Sequence, residues 1–132
     1  RKNKLENIIQ LPFQPRKNVH NSLGSSDLQV VIMGDNQVGF THPNKIYGAM
    51  FVGKPILYIG PKQSHVTEII SELKGNILAD HRGENTIIDG LLEFANLNDA
   101  QKEEIGLNNL KHAKDNFSPT ILKNKMLTAI EN

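Results

Sequence analysis

The chain predicts an α/β fold: an open sheet of parallel strands with helices packed on it. Three observations carry that expectation. Residues 28–33 (LQVVIM) and 56–59 (ILYI) are short apolar runs of strand length and composition. Helical spacing of apolar residues follows each of them, over 43–52 and from Ser64 to Leu73. The connections are too long for hairpins, so the strands should run parallel through right-handed crossovers.

Taken in order, residues 7–11 (NIIQL) read as a first short strand, ended by Pro12 and Pro15. Residues 16–26 have helical spacing at Val19 and Leu23, but Gly24 and its serine neighbours keep that helix short. The run 28–33 is nearly continuous in apolar character, as expected for a strand buried on both faces. A loop with two glycines leads to Pro43, which suits a first helical turn. That helix runs to about Val52, burying Ile46, Ala49, Met50 and Phe51, with Gly53 as its left-handed cap and Lys54-Pro55 as its stop.

After the strand 56–59, Ser64 can cap a helix carrying Val66, Ile69, Ile70 and Leu73, with Gly75 as terminator. Residues 76–79 are a weaker fourth strand. Ile87, Ile88, Leu91, Leu92 and Ala95 mark the next helix, and Asn98 with Gln101 forms a capping pair for the one after it. Ser118-Pro119 opens a last helix through Ile121, Leu122, Met126, Leu127 and Ile130. The expected result is a sheet of about four strands with a helical tail.

Composition bounds the function. At 132 residues the chain is one domain at most. Lys+Arg number 15 against 14 Asp+Glu, so bulk charge points to neither nucleic acid nor a membrane surface. Cysteine is absent, which removes disulfide and thiolate chemistry and fits a reducing compartment. No apolar run approaches the roughly 18 residues needed to span a bilayer, and no signal peptide is visible. The polar opening without an initiating methionine reads as a piece of something longer.

Ligands of open parallel sheets sit at the carboxyl ends of the strands. Here those ends are residues 12–15, 34–42 and 60–64, which should line one rim. The junction before His42-Pro43-Asn44-Lys45 is the principal candidate, because a helix N-terminus offers open amides and a positive dipole to an anion such as a phosphate. Gly39 permits close approach or positive φ, the amides following Thr41 and His42 would face a distal phosphate, and Lys45 could neutralise it. The bland alternative is an ordinary helix start with a solvated lysine.

Gly48 inside a helix costs about 1 kcal/mol relative to alanine, which asks for either close packing or ligand access. Tyr47 reads as a half-buried residue with its hydroxyl at the edge. The histidines at 20, 42, 65, 81 and 112 lack metal-ligand spacing, so neither metal nor cofactor is expected. Of these, His42 alone lies on the expected rim. No carboxylate pair or Ser-His-Asp order suggests hydrolysis.

With those loops in place, the chain resembles the C-terminal, donor-binding half of a retaining GT-B glycosyltransferase. Such enzymes have two Rossmann-like domains, and the group includes bacterial enzymes of capsule, O-antigen and exopolysaccharide assembly. LENIIQLPFQP at 5–15, SSDLQVVI at 25–32, HPNKIYGAMFVGKPILYIGP at 42–61 and NFSPTILKNKML at 116–127 carry the resemblance. The central block is similar to the family pattern P-S-K-x-Y-x-x-M-x-x-G-x-P. Many members carry two glutamates eight positions apart, which fall on Phe40 and Gly48 here, and the second usually holds the ribose diol. A subset also has glycine there, with the lysine and tyrosine seen at Lys45 and Tyr47.

The resemblance implies a Rossmann-like partial domain, residues 1–132 being its rear part, with an acceptor domain and first strands elsewhere. It implies a nucleotide-sugar donor, a uridine diphosphate sugar being favoured, and a glycan or lipid-linked acceptor reached through the other domain. Gly39, Thr41, His42, Asn44 and Lys45 would hold the donor's diphosphate and sugar; Phe13, Gln14, Tyr47 and Gly48 would hold the nucleoside. Apolar capping of the core is the alternative for Phe13. The implied location is cytoplasmic, at the periphery of the inner membrane, and the piece alone is expected to be inactive and to self-associate through its cut sheet. Two rivals remain: a nucleotide-sugar epimerase fragment, and a non-catalytic α/β interaction or regulatory module. A receiver-type module would want clustered acids at strand ends, where only Asp27 and Asp35 lie near.

Overall fold

The computed structural model describes residues 6–131. Strands β1 (Gln29–Ile32), β2 (Ile56–Ile59) and β3 (Ile77–Ala79) form one sheet in that order, with both pairings parallel. The expected α/β class, a Rossmann-like open parallel sheet with flanking helices, is the fold observed. Register places Val30, Leu57 and Ile77 on one face and Val31, Tyr58 and Leu78 on the other.

The second face carries the core. Helix α1 (Val19–Gly24) follows a 3₁₀ turn and is as short as its glycine and serines dictate. Helix α2 (Lys45–Phe51) buries Ile46, Ala49 and Met50 in one cluster with Val31, Tyr58 and Ile56. It ends at Gly53, whose φ of 65° is the left-handed conformation expected there. Helix α3 (His65–Ile70) adds Val66, Ile69 and Ile70 to the same cluster. Its Ser64 cap is reciprocal: Thr67 N–H donates to Ser64 Oγ at 3.2 Å, and Ser64 N–H donates to Thr67 Oγ1 at 2.9 Å.

Helix α4 (Glu84–Asn96) lies over the first face at β3, where Gly90 meets the Ile77 side chain. Helix α5 (Asp99–Phe117) starts at the expected Asn98–Gln101 box and crosses back to pack on α2. Close approach is possible because Gly106 faces Gly53; a Cβ at Gly106 would overlap the Gly53 carbonyl. One turn on, the fully buried Asn109 donates to the Lys54 carbonyl and to Asn76 Oδ1, both at 2.9 Å. Asn76 returns a bond to Asn109 Oδ1 at 2.9 Å and accepts the Ile56 N–H at 2.8 Å. Helix α6 (Pro119–Glu131) packs on α5 and buries none of its residues.

Four expectations are corrected. Residues 7–11 form no strand: Ile8–Leu11 is irregular and solvent-facing, and no described strand pairs with it. An apolar run becomes a strand only where a ladder receives its N–H and C=O groups. The sheet therefore has three strands rather than about four. Strand β1 is buried on one face alone, since Val30 and Ile32 point away from the core and Ile32 is 62% exposed. Phe51 follows Met50 around the helix by about 100° and leaves the core. Finally, α3 stops at Ile70, although Leu73 still packs on the cluster beyond its end. Among the described residues, no helix is long and apolar enough to cross a membrane.

The asparagine pair and the glycine contact should dominate stability. Asn109→Ala leaves Lys54 and Asn76 without their partner and should cost about 3 kcal/mol in urea unfolding. Gly106→Ala should cost about 2 kcal/mol by prising α5 from α2. Leu122→Ala, on the exposed α6 face, should cost under about 1 kcal/mol. A comparable loss in all three would contradict this ranking.

Candidate functional site

Parallel strands deliver their following loops to one end of the sheet, and three such loops meet there. Residues 33–44 follow β1, residues 60–64 follow β2, and residues 80–83 follow β3. Direct contacts lock them together. His81 Nε2 donates to the Met33 carbonyl at 2.8 Å and lies 3.9 Å from Asp35 Oδ1. Lys62 Nζ stands 3.6 Å from Asp80 Oδ2. The β2 loop is fastened from below, where Tyr58 Oη and Ser64 Oγ share a 3.0 Å hydrogen bond.

His42 sits at the centre of a line of rings. Its centroid is 5.0 Å from that of His65 at the start of α3 and 5.2 Å from that of Tyr47 on α2. Tyr47 in turn meets Phe117 of α5 edge-on at 4.9 Å. This stack ties the β1 loop to α2, α3 and α5. His42 Nε2 is buried without a hydrogen-bond partner among the described residues. Burial first, and the neighbouring His65 second, hold the His42 imidazole below its ordinary value of 6.5. Burial pushes the Tyr47 phenol up. The Arg82 backbone N–H, donating to Asp80 Oδ1 at 2.8 Å, is the main cause that holds Asp80 below the ordinary carboxylate range.

The residues singled out in the sequence are only partly united. His42, Tyr47 and Lys45 share the α2 entrance, with Lys45 exposed at the first position of that helix. Gly39 adopts φ 81° in an open turn. Asn44 occupies the cap position but makes no side-chain cap bond. The Thr41 N–H is spent on the Gln37 carbonyl at 3.0 Å, and the residue after His42 is Pro43, which has no amide hydrogen. The amides left to meet an anion are those of His42, Asn44 and Lys45.

Gly48 has a packing reason: a Cβ there would stand 3.0 Å from Leu23 Cδ1, so α1 lies against it. Of the two reasons the sequence offered, close packing is the one observed, helix against helix. Phe13 is 96% exposed, and Gln14 bonds only locally, to the Pro12 carbonyl at 2.9 Å. Residues 12–15 follow no strand, so nothing delivers them to the rim by the topology expected.

The loop after β3 supplies Asp80, His81 and Arg82, which the sequence reading passed over. The signal was available, since every parallel strand sends its next loop to the same end. With Asp35 and Lys62 they border a cleft of about 240 Å³. A larger cavity of about 580 Å³ opens beside it between α3 and β3, with Tyr58, Thr67, Leu78 and Thr86 in its lining. Neither contains residues 39–45. No family model, curated protein or solved structure matches the chain.

Two measurements test the His42–Tyr47 entrance. Because folding depresses the His42 value, the unfolded chain binds more protons below pH 6.5. Its contribution to stability is complete above that pH, falls as pH drops through 6.5, and levels off below the folded value. The Asp80 contribution is lost lower down, as pH falls through and below 3.8. Urea unfolding from pH 8 to 5, at about half-unit steps, should show the His42 decline, and His42→Gln should flatten it; an unchanged slope would reject the assignment. Gly48→Ala gains about 1 kcal/mol of helix propensity against crowding of Leu23, so its net effect should stay within about 1 kcal/mol.

Proposed function

We propose that this chain is the nucleotide-sugar-binding part of a retaining glycosyltransferase of polysaccharide assembly, with a uridine diphosphate sugar as the favoured donor. The observation that supports the reading most is the meeting of the β1, β2 and β3 loops at the carboxyl rim of a parallel sheet, with Lys45 and His42 at the α2 entrance. In this reading the donor diphosphate lies over His42, Asn44 and Lys45. Their backbone amides and the Lys45 ammonium stabilise the negative charge that builds on the departing nucleoside diphosphate. A flexible point charge such as lysine suits a leaving group that moves during the reaction. Gly39 keeps the approach open, and Tyr47 braces the entrance through His42 and Phe117.

The acceptor, a glycan or lipid-linked sugar, is bound by a domain outside these residues, and transfer requires that domain. Phe13 and Gln14 enter this reading only if residues 12–15 move to the rim on binding. The rival reading is a non-catalytic α/β interaction module. The exposed apolar residues of β1 and α6 favour that rival, since monomeric domains seldom leave such faces open.

Ligand-observed saturation-transfer NMR with uridine and guanosine diphosphates separates the two. Transfer to uridine diphosphate that Lys45→Ala weakens by about tenfold or more is the expected outcome. Equal transfer in the Lys45→Ala variant would move the ligand away from α2. Silence toward both nucleotides from a longer chain carrying both domains would reject the glycosyltransferase reading in favour of the interaction module.

A further inference from the structure

The core-bearing face of the sheet is covered only in part. Val31, Tyr58 and Leu78 form one row across the three strands, and Val31 and Tyr58 are buried in the cluster that α2 and α3 complete. Leu78, at the end of that row, is 36% exposed. It lines the cavity of about 580 Å³, a size within the roughly 300–1,000 Å³ of small-molecule sites. None of residues 39–45 borders this cavity, so it is separate from the α2 entrance. On the α3 side its wall is Ser64, Thr67 and Ser71, at three- and four-residue spacing, with Glu68 beside them. Asp80 and Thr86, the latter in the first turn of α4, complete it.

These walls chiefly accept hydrogen bonds. Thr67 Oγ1 donates its proton to the Ser64 carbonyl at 2.7 Å, and Ser71 Oγ donates to the Glu68 carbonyl at 3.3 Å. The Tyr58 and Ser64 hydroxyls are engaged with each other. What Thr67 and Ser71 offer a ligand is therefore lone pairs. Glu68 and Asp80 add carboxylates, and each already has a partner: His65 Nδ1 stands 3.0 Å from Glu68 Oε2, and Lys62 Nζ 3.6 Å from Asp80 Oδ2. An anionic ligand would meet two carboxylates here, and an ammonium would find both already paired. A neutral molecule rich in hydroxyl donors satisfies the lone pairs, and its C–H face can rest on Leu78.

We propose that this cavity binds a neutral hexopyranose, free or as the end unit of a glycan, whose hydroxyls donate to Asp80, Glu68, Thr67 and Ser71 above Leu78. Asp80 is the anchor. The Arg82 N–H at 2.8 Å and the Lys62 ammonium hold its carboxylate in place, and it borders both this cavity and the smaller cleft beside it. A hydroxyl donating to an ionised, fixed acceptor makes a stronger bond than one between neutral groups. The site stands apart from nucleotide binding and does not depend on the glycosyltransferase reading.

Amide shifts in nitrogen-15 NMR, followed while glucose, galactose, mannose or N-acetylglucosamine is added to about 100 mM, test the proposal. At least one of these sugars should move the amides of Thr67, Ser71, Leu78 and Thr86, saturating with a Kd of about 1–10 mM. A disaccharide ending in that sugar and binding as tightly would mark a chain end; binding of the monosaccharide alone would mark a free sugar. Asp80→Asn keeps an acceptor for the Arg82 amide but loses the charge, and should weaken binding about tenfold or more. Ser71→Leu places an apolar side chain in the hollow and should abolish binding, with far-ultraviolet circular dichroism unchanged in both variants. Silence from every sugar would overturn the proposal, as would shifts confined to residues 39–45 or full binding by Asp80→Asn. Tighter binding of glucosamine or glucuronate than of the neutral sugar would overturn it too, by giving the cavity a charged ligand.

Discussion

A hydrogen-bonded pair of asparagine side chains, Asn109 fully buried and Asn76 half-buried, holds the layers of this protein in place. Asn109 on α5 and Asn76 before β3 bond to each other twice, at 2.9 Å in each direction. Between them they also satisfy the Lys54 carbonyl just past α2 and the Ile56 N–H at the start of β2. One node therefore joins the end of α2, the beginnings of β2 and β3, and the middle of α5. Buried amides left without partners cost about 1–3 kcal/mol each, so the arrangement resists partial rearrangement. The Gly53–Gly106 contact beside it lets the helices come close enough for these bonds to form.

What the node fixes at one end of the sheet appears at the other. β2 and β3 are only four and three residues long, so their starting points decide where their following loops emerge. Those loops present Lys62, Ser64, Asp80 and His81, and His81 reaches back to β1 through the Met33 carbonyl. The α2 entrance is placed by the same contact, because Lys54 ends the turn that Asn109 holds. The His42–Tyr47–Phe117 ring line then ties that entrance to the far end of α5. Helix α5 is thus a strut between the two ends of the molecule.

Local chemistry was legible in the sequence, and distant pairing was not. The Ser64 and Asn98 caps, the Gly53 stop and the strand 56–59 are set by neighbours within a few residues, and each is where its residues indicate. Residues 7–11 have strand composition, yet a strand needs a partner that no local pattern names. The run 28–33 looked buried on both sides because apolar composition does not say which face lacks a helix. Asn109 was invisible: a single asparagine in a polar helix reads as surface, and only the small residues at Gly106 and Ala113 hint at a buried line. At the site, His42 lies in the loop after β1, but it is not the only histidine at that end: His81 reaches the Met33 carbonyl from the loop after β3, which was left out of the rim although its strand was expected. Phe13 and Gln14 depended on a strand that does not form.

Amide hydrogen exchange on the Asn109→Ala chain tests the node most directly. Loss of protection should spread from α5 to Ile56 and the rest of β2, to β3, and on to the loops at 60–64 and 80–83. The Tyr47 end of α2 should loosen with them. Loss confined to α5, with β2 and β3 protected as before, would contradict the view that one asparagine pair positions the rim.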